Sequence, residues 1–582
     1  MGFLGVDVGG TFTDAVFLTG SELRTAKVPT AHRQEESVLA AARAVAARDV
    51  RRFTHGTTVA TNALLERKGA HTAFVATAGF EHVLHVRRQA RAHLYRLCED
   101  HPPPLVPLAR SYGVRERMGP EGVVEPLELD SLPDLGPDVE AVAVCLLFSF
   151  RDPIHERAVA RELRRRHPGV RIVASHEVAP EFREYERAST TAVDAYLAPG
   201  VSHYLDALAV ACQEATLPEP LVMRSSGGVA TTAEAAAHPA VVLVSGPAAG
   251  VVGAAWVARS AGIEKAISLD MGGTSTDVCL IAGGEAGRAA ERDVAGLPLR
   301  VPTVDLQTVG AGGGSVIWRD SGGALRVGPE SAAAEPGPAC YGRGGTRPTV
   351  TDANLLLDRL PARLAGGLVL ERDAAERALG GIDPEEAIAV VNAEMLRALR
   401  LVSVERGHDP REFALVAFGG AGPLHACALA EELGIATVLV PGAAGVLSAL
   451  GLVASGERRD RVVSYVCPLE EAGELPHEGE ADLRYRGQSF ELTVPLGPDL
   501  ASAFHRAHEE RYGYADPARD VELVAVRTAE VRPGPAVELP AAEPLEAEGP
   551  ATIELEGATC WLPPEWVGVR DGTSSTLRLS RV

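Results

Sequence analysis

Two acidic residues, Asp7 and Asp270, each open an eight-residue stretch, and the two stretches lie 263 positions apart. They read DVGGTFTD and DMGGTSTD, and six of their eight residues agree. In each stretch two glycines follow the aspartate closely, a pattern that suits a phosphate-binding turn. A carboxylate repels phosphate, so the aspartate beside these glycines is expected to hold a hydrated Mg²⁺ or to orient an attacking water. The repeat therefore predicts one chemical device that the chain builds twice.

The residues around each aspartate predict a β-hairpin with a polar tip. An apolar run leads into the aspartate, two glycines follow, and hydroxyl side chains precede a second apolar run. Glycine can adopt positive φ and lets the backbone approach a phosphate closely, while N–H and hydroxyl groups donate to its oxygens. A single copy could be an ordinary tight turn, whereas two copies that each follow a strand favour a phosphate site.

Length, charge and cysteine pattern limit the classes of function. A chain of 582 residues is long enough for about three or four domains. The net charge of −22 argues against nucleic acid or an anionic membrane as the partner. The eight cysteines include no CxxC pair, and no export signal or membrane-length apolar run is present, so a cytoplasmic protein is expected.

The stretch FTHGTTVATNALLERKG, residues 53–69, predicts a strand, a polar turn and a helix. Four polar side chains crowd the turn: His55, Thr57, Thr58 and Asn62. Either they cap the helix, or they face a ligand that lies over its N-terminus. Spacing alone favours capping.

Three further patterns allow more than one interpretation. His82 and His85 could share a metal ion on a helix, but no acidic or cysteine ligand accompanies them, which favours solvated or anion-facing side chains. Cys340 could be a nucleophile, but no partner base is identifiable, which favours a structural or pocket-lining thiol. The glycines of 304–318 resemble a dinucleotide fingerprint, but Ser315 replaces its third glycine.

Segments rich in small residues predict close packing between two halves of the molecule. SGPAAGVVGAAWVARSAG at 245–262 and VLVPGAAGVLSALGLVAS at 438–455 each contain a helix able to approach a neighbour closely. Between them, the turn GGAG at 419–422 carries no bulky side chain, so a flat ring could lie against it.

The order of these motifs resembles that of the actin and sugar-kinase superfamily, in which ATP lies in a cleft between two lobes. As a set they are similar to the hydantoinase A family, which includes N-methylhydantoinase, 5-oxoprolinase and subunits of acetone carboxylase. The resemblance rests on DVGGTFTD, THGTTVATNALLERKGA, SSGGV, SGPAAGV, DMGGTSTDV, GAGGGS, GPACYGRGGTRPTVTDANLLL, AFGGAGPLHA and RYRGQSFEL. It implies an α/β, two-lobed actin-like (ribonuclease H-like) ATPase fold with an additional β-containing C-terminal domain. The expected boundaries are 1–185, 186–456 and 457–582.

The family motifs, matched residue by residue, assign roles at the expected site. Asp7, Asp270 and His55 become the catalytic candidates, and Asp7 and Asp270 are also the candidate Mg²⁺ ligands. The other matched residues are expected to bind ATP: Gly9, Gly10, Thr11, Thr13, Gly272, Gly273, Thr274, Thr276, Gly419, Gly420 and Gly422.

The resemblance also implies an activity, in which Mg-ATP phosphorylates the carbonyl oxygen of a cyclic amide, such as a hydantoin or 5-oxoproline, to promote ring opening. The implied partners are this small molecule and a B-type subunit in a hetero-oligomer. Two alternatives stay open: an acetone-carboxylase-like subunit that activates a ketone and bicarbonate, and a non-enzymatic ATP-driven reactivase or chaperone. The family commonly has acidic or small residues where His82 and His85 stand, so substrate contacts near them are not assigned.

Overall fold

A computed structural model describes residues 2–20, 22–96, 98–364, 367–539 and 541–582. Within these residues, two large sheets each contain one copy of the repeated hairpin. The sheet of the first lobe has ten strands, in the order Leu492–Pro495, Glu480–Tyr485, Val521–Arg532, Glu457–Pro468, Val229–Thr231, Leu221–Met223, Val50–Gly56, Gly2–Val8, Phe12–Thr19 and Glu22–Pro29.

The sheet of the second lobe has nine strands in the described residues. Eight form a continuous row, in the order Glu285–Ala286, Thr276–Ala282, Ala266–Met271, Ala414–Phe418, Val438–Val440, Leu577–Arg581, Trp566–Arg570 and Leu545–Glu548. The ninth, Leu306–Val309, pairs with Thr276–Ala282. The predicted two-lobed α/β fold is therefore confirmed.

The two predicted hairpins have the same register. In the first, Asp7 lies opposite Asp14, and in the second, Asp270 lies opposite Asp277. The duplication extends one strand further, because the first strand of each hairpin pairs in parallel with Val50–Gly56 or Ala414–Phe418. We call these hairpins the first hairpin (residues 2–19) and the second hairpin (residues 266–282).

A smaller parallel sheet follows the first hairpin, with strands Arg171–Ala174, Ala141–Cys145, Thr72–Thr77 and Ser111–Val114. Short antiparallel pairs are Arg117–Gly119 with Gly122–Glu125, Arg288–Ala289 with Thr303–Val304, Arg292–Val294 with Leu297–Leu299, Ser315–Arg319 with Leu325–Ser331, and Ala551–Leu555 with Ala558–Leu562.

Helices cover the sheets. They are Gln34–Ala44, Val59–Leu65, Val83–Val86, Ile154–Arg166, Ser175–Val178, Glu184–Glu214, Thr232–Ala237, Ser245–Ser260, Val350–Leu356, Arg372–Leu379, Pro384–Val402, Gly422–Leu433, Leu447–Ala454 and Leu500–Tyr512. Among the described helices, none combines the length and the apolar character needed to cross a membrane.

The helices Ser245–Ser260 and Leu447–Ala454 pack closely, as the small residues predict. We call the first the seam helix. A methyl group on Gly253 would lie 2.9 Å from the carbonyl oxygen of Leu447, and one on Gly451 would overlap the carbonyl oxygen of Ala249. The two helix backbones are therefore in direct contact, with no room for larger side chains.

The C-terminal region contributes strands to both large sheets. Residues 457–532 supply four strands to the sheet of the first lobe, and residues 545–581 supply three strands to that of the second. Residues 221–231, expected in the second lobe, also pair within the first. The predicted boundaries at 185 and 456 therefore do not coincide with the sheets, because strand partners far apart in sequence decide where each segment belongs.

Candidate functional site

Asp7 and Asp270, from opposite lobes, face the same side of the seam helix. A methyl group on Gly246 would lie 3.5 Å from Asp7 Oδ1, and one on Gly250 would lie 3.3 Å from Asp270 Oδ2. Residues four apart in a helix have Cβ atoms about 5–6 Å apart, so the nearest oxygens of the two carboxylates are within about 13 Å of each other. The fold therefore brings these two predicted residues together.

The electrostatic environment couples these two carboxylates. Burial raises the pKa of Asp7 to about 7, Asp14 adds to the rise, and Lys27 opposes it. Burial raises the pKa of Asp270 to about 8, with further increases from Asp277 and from the two aspartates of the first hairpin. Both side chains keep partial solvent access. Two protein-surrounded carboxylates that can still be reached from solvent suit a cation with several water and phosphate ligands, as Mg²⁺ prefers.

The hairpin tips close with the same hydrogen bond. Gly9 N donates to Phe12 O at 2.9 Å, and Gly272 N donates to Ser275 O at 3.0 Å. A methyl group on Gly10 or Gly273 would meet open space, so the backbone is accessible at both. None of the four tip glycines has a left-handed conformation, so these turns do not use the positive φ that glycine allows.

The threonines of each hairpin divide into two kinds. Thr11 and Thr274 are exposed at the tips, where their hydroxyl groups could contact phosphate. Thr13 and Thr276 are buried, and the hydroxyl of Thr276 donates to Ala311 O at 2.5 Å. Each buried threonine precedes Asp14 or Asp277 in its strand and so points to the opposite face. The prediction that these two threonines bind phosphate is corrected on this ground.

The glycine-rich stretch near residue 312 supports the second hairpin. Gly313 N donates to Gly272 O at 3.0 Å, and Gly314 N donates to Gly273 O at 2.7 Å. A methyl group on Gly312 would lie 2.6 Å from Thr274 N. These glycines therefore allow backbone to pack on backbone, and the dinucleotide alternative loses its basis.

Among the glycines predicted at the nucleotide-side turn, only Gly420 is open to solvent. Gly419 has φ of +78°, and a methyl group there would overlap Asp270 Oδ1. Gly422 is buried at the start of the helix Gly422–Leu433. A methyl group added there would lie 3.2 Å from the carbonyl oxygen of Leu269. Gly419 thus lies beside the acidic site, whereas Gly422 packs against the second hairpin.

His55 does not face the acidic site. It lies opposite Val6 in the sheet, whereas its neighbour Gly56 lies opposite Asp7, so the His55 side chain points to the other face. Its Nδ1 is 3.1 Å from Val6 O, and its Nε2 is 2.7 Å from the hydroxyl of Tyr204. Burial lowers its pKa to about 4, so it is neutral near pH 7. Both ring nitrogens are occupied by hydrogen bonds inside the protein, and the side chain is buried, so His55 is not placed to contact a substrate. The prediction that His55 is catalytic is therefore corrected: His55 connects the strand to the helix Glu184–Glu214 in the core.

The polar turn after His55 connects to the seam helix. Ser245 Oγ donates to Thr57 O at 2.8 Å and lies 3.2 Å from Thr57 N. Thr57 Oγ1 accepts a hydrogen bond from Val59 N at 3.1 Å, whereas the side chain of Thr58, at the N-cap position, makes no capping hydrogen bond. The turn therefore fixes the start of the seam helix, beside Asp7.

Cys340 is a buried thiol, and burial followed by the charge of Asp352 raises its pKa. Asp352 Oδ1 accepts from Cys340 N at 2.8 Å, while Oδ2 accepts from Thr349 Oγ1 at 2.7 Å. A thiol with a raised pKa is a poor nucleophile. The structural interpretation is therefore favoured, and the buried Asp352 organises this loop.

His82 and His85 are not joined by further ligands. His82 lies at the start of the short helix Val83–Val86, and burial lowers the pKa of His85. Within the described ranges, no group of three or more His, Cys, Asp or Glu side chains could hold a metal ion.

Sequence reasoning missed the second aspartate of each repeat. Asp14 pairs with Lys27, with Asp14 Oδ1 at 2.5 Å from Lys27 Nζ, and Asp277 Oδ1 accepts from Thr308 Oγ1 at 2.5 Å. The repeat itself held the signal, because its last residue must lie opposite its first in a tight hairpin. Lys27 lies outside the repeat and gave no such signal.

The fold and the site define a two-lobed α/β protein in which each lobe supplies one copy of an acidic hairpin to the same side of the seam helix. The chain belongs to the hydantoinase/oxoprolinase family, with its N-terminal region matched over residues 3–167 and the hydantoinase/oxoprolinase model itself over 187–461. The resemblance predicted from the motifs is confirmed.

Relatives whose names state an activity are similar to most of this chain. Caprolactamase subunit alpha of Pseudomonas jessenii is 34% identical, over 90% of this chain and 85% of that protein. The acetophenone carboxylase gamma subunit of Aromatoleum aromaticum is 35% identical, over 77% of this chain and 67% of that protein. The crystal structure of ATP-dependent caprolactamase from Pseudomonas jessenii superposes with a TM-score of 0.84 at 30% identity, covering 99% of both chains.

Proposed function

We propose that this chain is the ATP-binding subunit of an ATP-dependent hydrolase that opens a cyclic amide. The observation that carries the proposal is the approach of Asp7 and Asp270 to the same face of the seam helix. The similarity to a caprolactamase alpha subunit supports the cyclic amide as substrate and a second subunit as partner.

Amide resonance makes a lactam carbon a weak electrophile, which is why ATP is needed. Transfer of the γ-phosphoryl group to the carbonyl oxygen releases ADP and leaves an O-phosphorylated carbon open to attack by water. Hydrolysis then breaks the ring C–N bond and releases phosphate, so one ATP is consumed for each ring opened. The partner subunit is proposed to assist this second step.

In this mechanism the hairpins bind and orient the reactants. Backbone N–H groups and hydroxyls at the exposed tips, near Thr11 and Thr274, donate to phosphate oxygens. Asp7 and Asp270 would hold Mg²⁺ through oxygen or water ligands, and the ion would neutralise phosphate charge. Gly420 leaves the nucleotide-side turn open for the base.

The test is ADP release by the purified chain with and without its partner subunit. We expect Mg-ATP turnover to be stimulated by a lactam such as caprolactam or 5-oxoproline, with one ring-opened product for each ADP. ADP release that no cyclic amide stimulates, with no ring-opened amino acid formed, would contradict the proposal.

A carboxylase subunit is the second candidate, because one relative of comparable identity is named as a subunit of acetophenone carboxylase. It predicts ADP release that depends on both a ketone and bicarbonate, with a carboxylated product. The same assay separates the two, since a lactam hydrolase needs no bicarbonate. Nucleotide-dependent binding to a large enzyme without small-molecule stimulation would instead indicate a reactivase.

A further inference from the structure

Each lobe carries a row of side chains that crosses three neighbouring strands. In the first lobe, Asp7 lies opposite Asp14, which lies opposite Lys27. Residues directly opposite each other in antiparallel strands share a face of the sheet. Lys27 therefore projects on the same face as Asp7.

The second lobe repeats this row with one chemical difference. Asp270 lies opposite Asp277, and Asp277 lies opposite Thr308. The position of Lys27 is thus taken by a neutral hydroxyl in the second lobe. The nearby cation, Arg292, is directed to the Thr308 hydroxyl at 3.3 Å and to Leu306 O at 3.4 Å. The charge of Arg292 still lowers the pKa of Asp277, against the larger effect of burial, so the asymmetry lies in the direct contact: an ammonium group contacts Asp14, and a hydroxyl contacts Asp277.

The position of Lys27 is suited to a ligand at the first tip. Its Nζ lies 5.5 Å from the ring centroid of Phe12, which closes that tip by accepting from Gly9 N. The side chain is 36% exposed, so it can reach solvent. The other two lysines, Lys68 and Lys265, pair with carboxylates on the surface.

The charge of Lys27 acts on both lobes. It lowers the pKa of Asp7 and Asp14 within its own lobe, and that of Asp270 in the other lobe, against the larger effect of burial. A polyphosphate that enters beside these carboxylates meets repulsion unless a cation screens it. A lysine is a point charge on a flexible stem, so it can exchange one oxygen partner for another with little movement.

We propose that Lys27 is a further catalytic residue. When the nucleotide binds, the ammonium group of Lys27 moves away from Asp14 and contacts a non-bridging oxygen of the terminal phosphate. The inference rests on the proposed function only in requiring that the site between the two hairpins bind a nucleoside triphosphate. Asp14 holds the ammonium group in place before the phosphate arrives, and the asymmetry of the rows assigns the transferred phosphate to the side of the first lobe.

The experiment compares Lys27→Met with Lys27→Arg and with the surface control Lys265→Met. Binding of a nonhydrolysable ATP analogue and of AMP is measured by calorimetry in the full chain. We expect Lys27→Met to weaken the triphosphate analogue by about 10-fold or more and AMP by less than about twofold, since only the former has the terminal phosphate. Lys27→Arg should recover part of the loss, and Lys265→Met should behave as wild type.

Equal weakening of both nucleotides, or no weakening of either, would overturn the inference while leaving the proposed function in place. Failure of the wild-type chain to bind the triphosphate analogue at all would refute the proposed function and this inference together. If Lys27→Met does not fold, Lys27→Arg decides. A changed affinity for the analogue with unchanged AMP binding supports the contact, and unchanged affinity for both contradicts it, because a bidentate guanidinium cannot replace an ammonium contact without altering it.

Discussion

Gly56 and Gly419 each lie against the carboxylate of one hairpin. Gly56 is opposite Asp7 in the sheet, Gly419 follows Phe418, which is opposite Asp270, and a methyl group on either glycine would overlap an oxygen of the nearby aspartate. The chain therefore leaves room for each acidic group by omitting the neighbouring side chain. The same solution in both lobes indicates that the positions of the two carboxylates matter for function.

Replacing Asp7 or Asp270 by Asn should remove ATP turnover while leaving the fold intact. Each change keeps the side-chain volume but removes the charge that would hold the cation, so we expect kcat/KM for ADP release to fall on the order of 100-fold or more. The matched control is the exposed Asp134→Asn, which should retain wild-type activity. Full activity in both site variants would show that the chemistry lies elsewhere.

Binding of Mg-nucleotide should strengthen as pH rises. The pKa values of Asp7 and Asp270, raised to about 7 and about 8, mean that both carboxylates hold protons at pH 6 and lose them only near or above neutrality. A cation must displace these protons, so affinity should increase up to about tenfold per pH unit for each proton released between pH 6 and 8.5. Calorimetry in buffers of different ionisation enthalpy measures the release. A flat profile would contradict the assignment.

Asp270→Asn should stabilise the ligand-free protein at alkaline pH. The pKa of Asp270 is raised from the ordinary 3.8 to about 8, so the folded state binds more protons than the unfolded state between these values. Stability therefore falls as pH rises through this window, and the cost is complete above it. We expect the variant to melt higher than wild type at pH 8.5, on the order of 1–3 °C, with a smaller difference at pH 5. The opposite trend would show that Asp270 is stabilised as an anion.

Alanine should have opposite effects at two helical glycines. A methyl group on Gly451 would overlap the carbonyl oxygen of Ala249 in the seam helix, so Gly451→Ala should destabilise by about 1–3 kcal/mol. Gly200 lies inside the helix Glu184–Glu214 with open space around it, so Gly200→Ala should stabilise by about 0.5–1 kcal/mol. Thermal melts of both variants test the close contact between the lobes. Similar melting temperatures would exclude it.

Cys340→Ala should leave ADP release within about threefold of wild type, because a buried thiol with a raised pKa has no catalytic part. Alkylation of the native protein should modify the exposed Cys98 first and spare Cys340. Mass spectrometry of labelled peptides, before and after denaturation, gives the order. Rapid labelling of Cys340 that ATP prevents would instead restore it as a site residue.

The sequence predicted the hairpins because each is local. Their strands, turns and repeated aspartates lie within about twenty residues, and alternation along a strand could have placed Thr13 and His55 on the faces that they occupy. The partners of 457–468 and 521–532 could not be predicted in this way. An alternating strand pattern shows which face is buried but does not identify the sheet that a distant strand joins.

The distribution of the C-terminal strands has a consequence for biosynthesis. The first large sheet includes residues up to 532 and the second includes residues up to 581. Neither sheet can therefore be completed until nearly all of these residues have been synthesised. Partly synthesised molecules would expose unpaired strand edges during translation. We expect nascent chains of this protein to rely on chaperones until the last strands emerge from the ribosome.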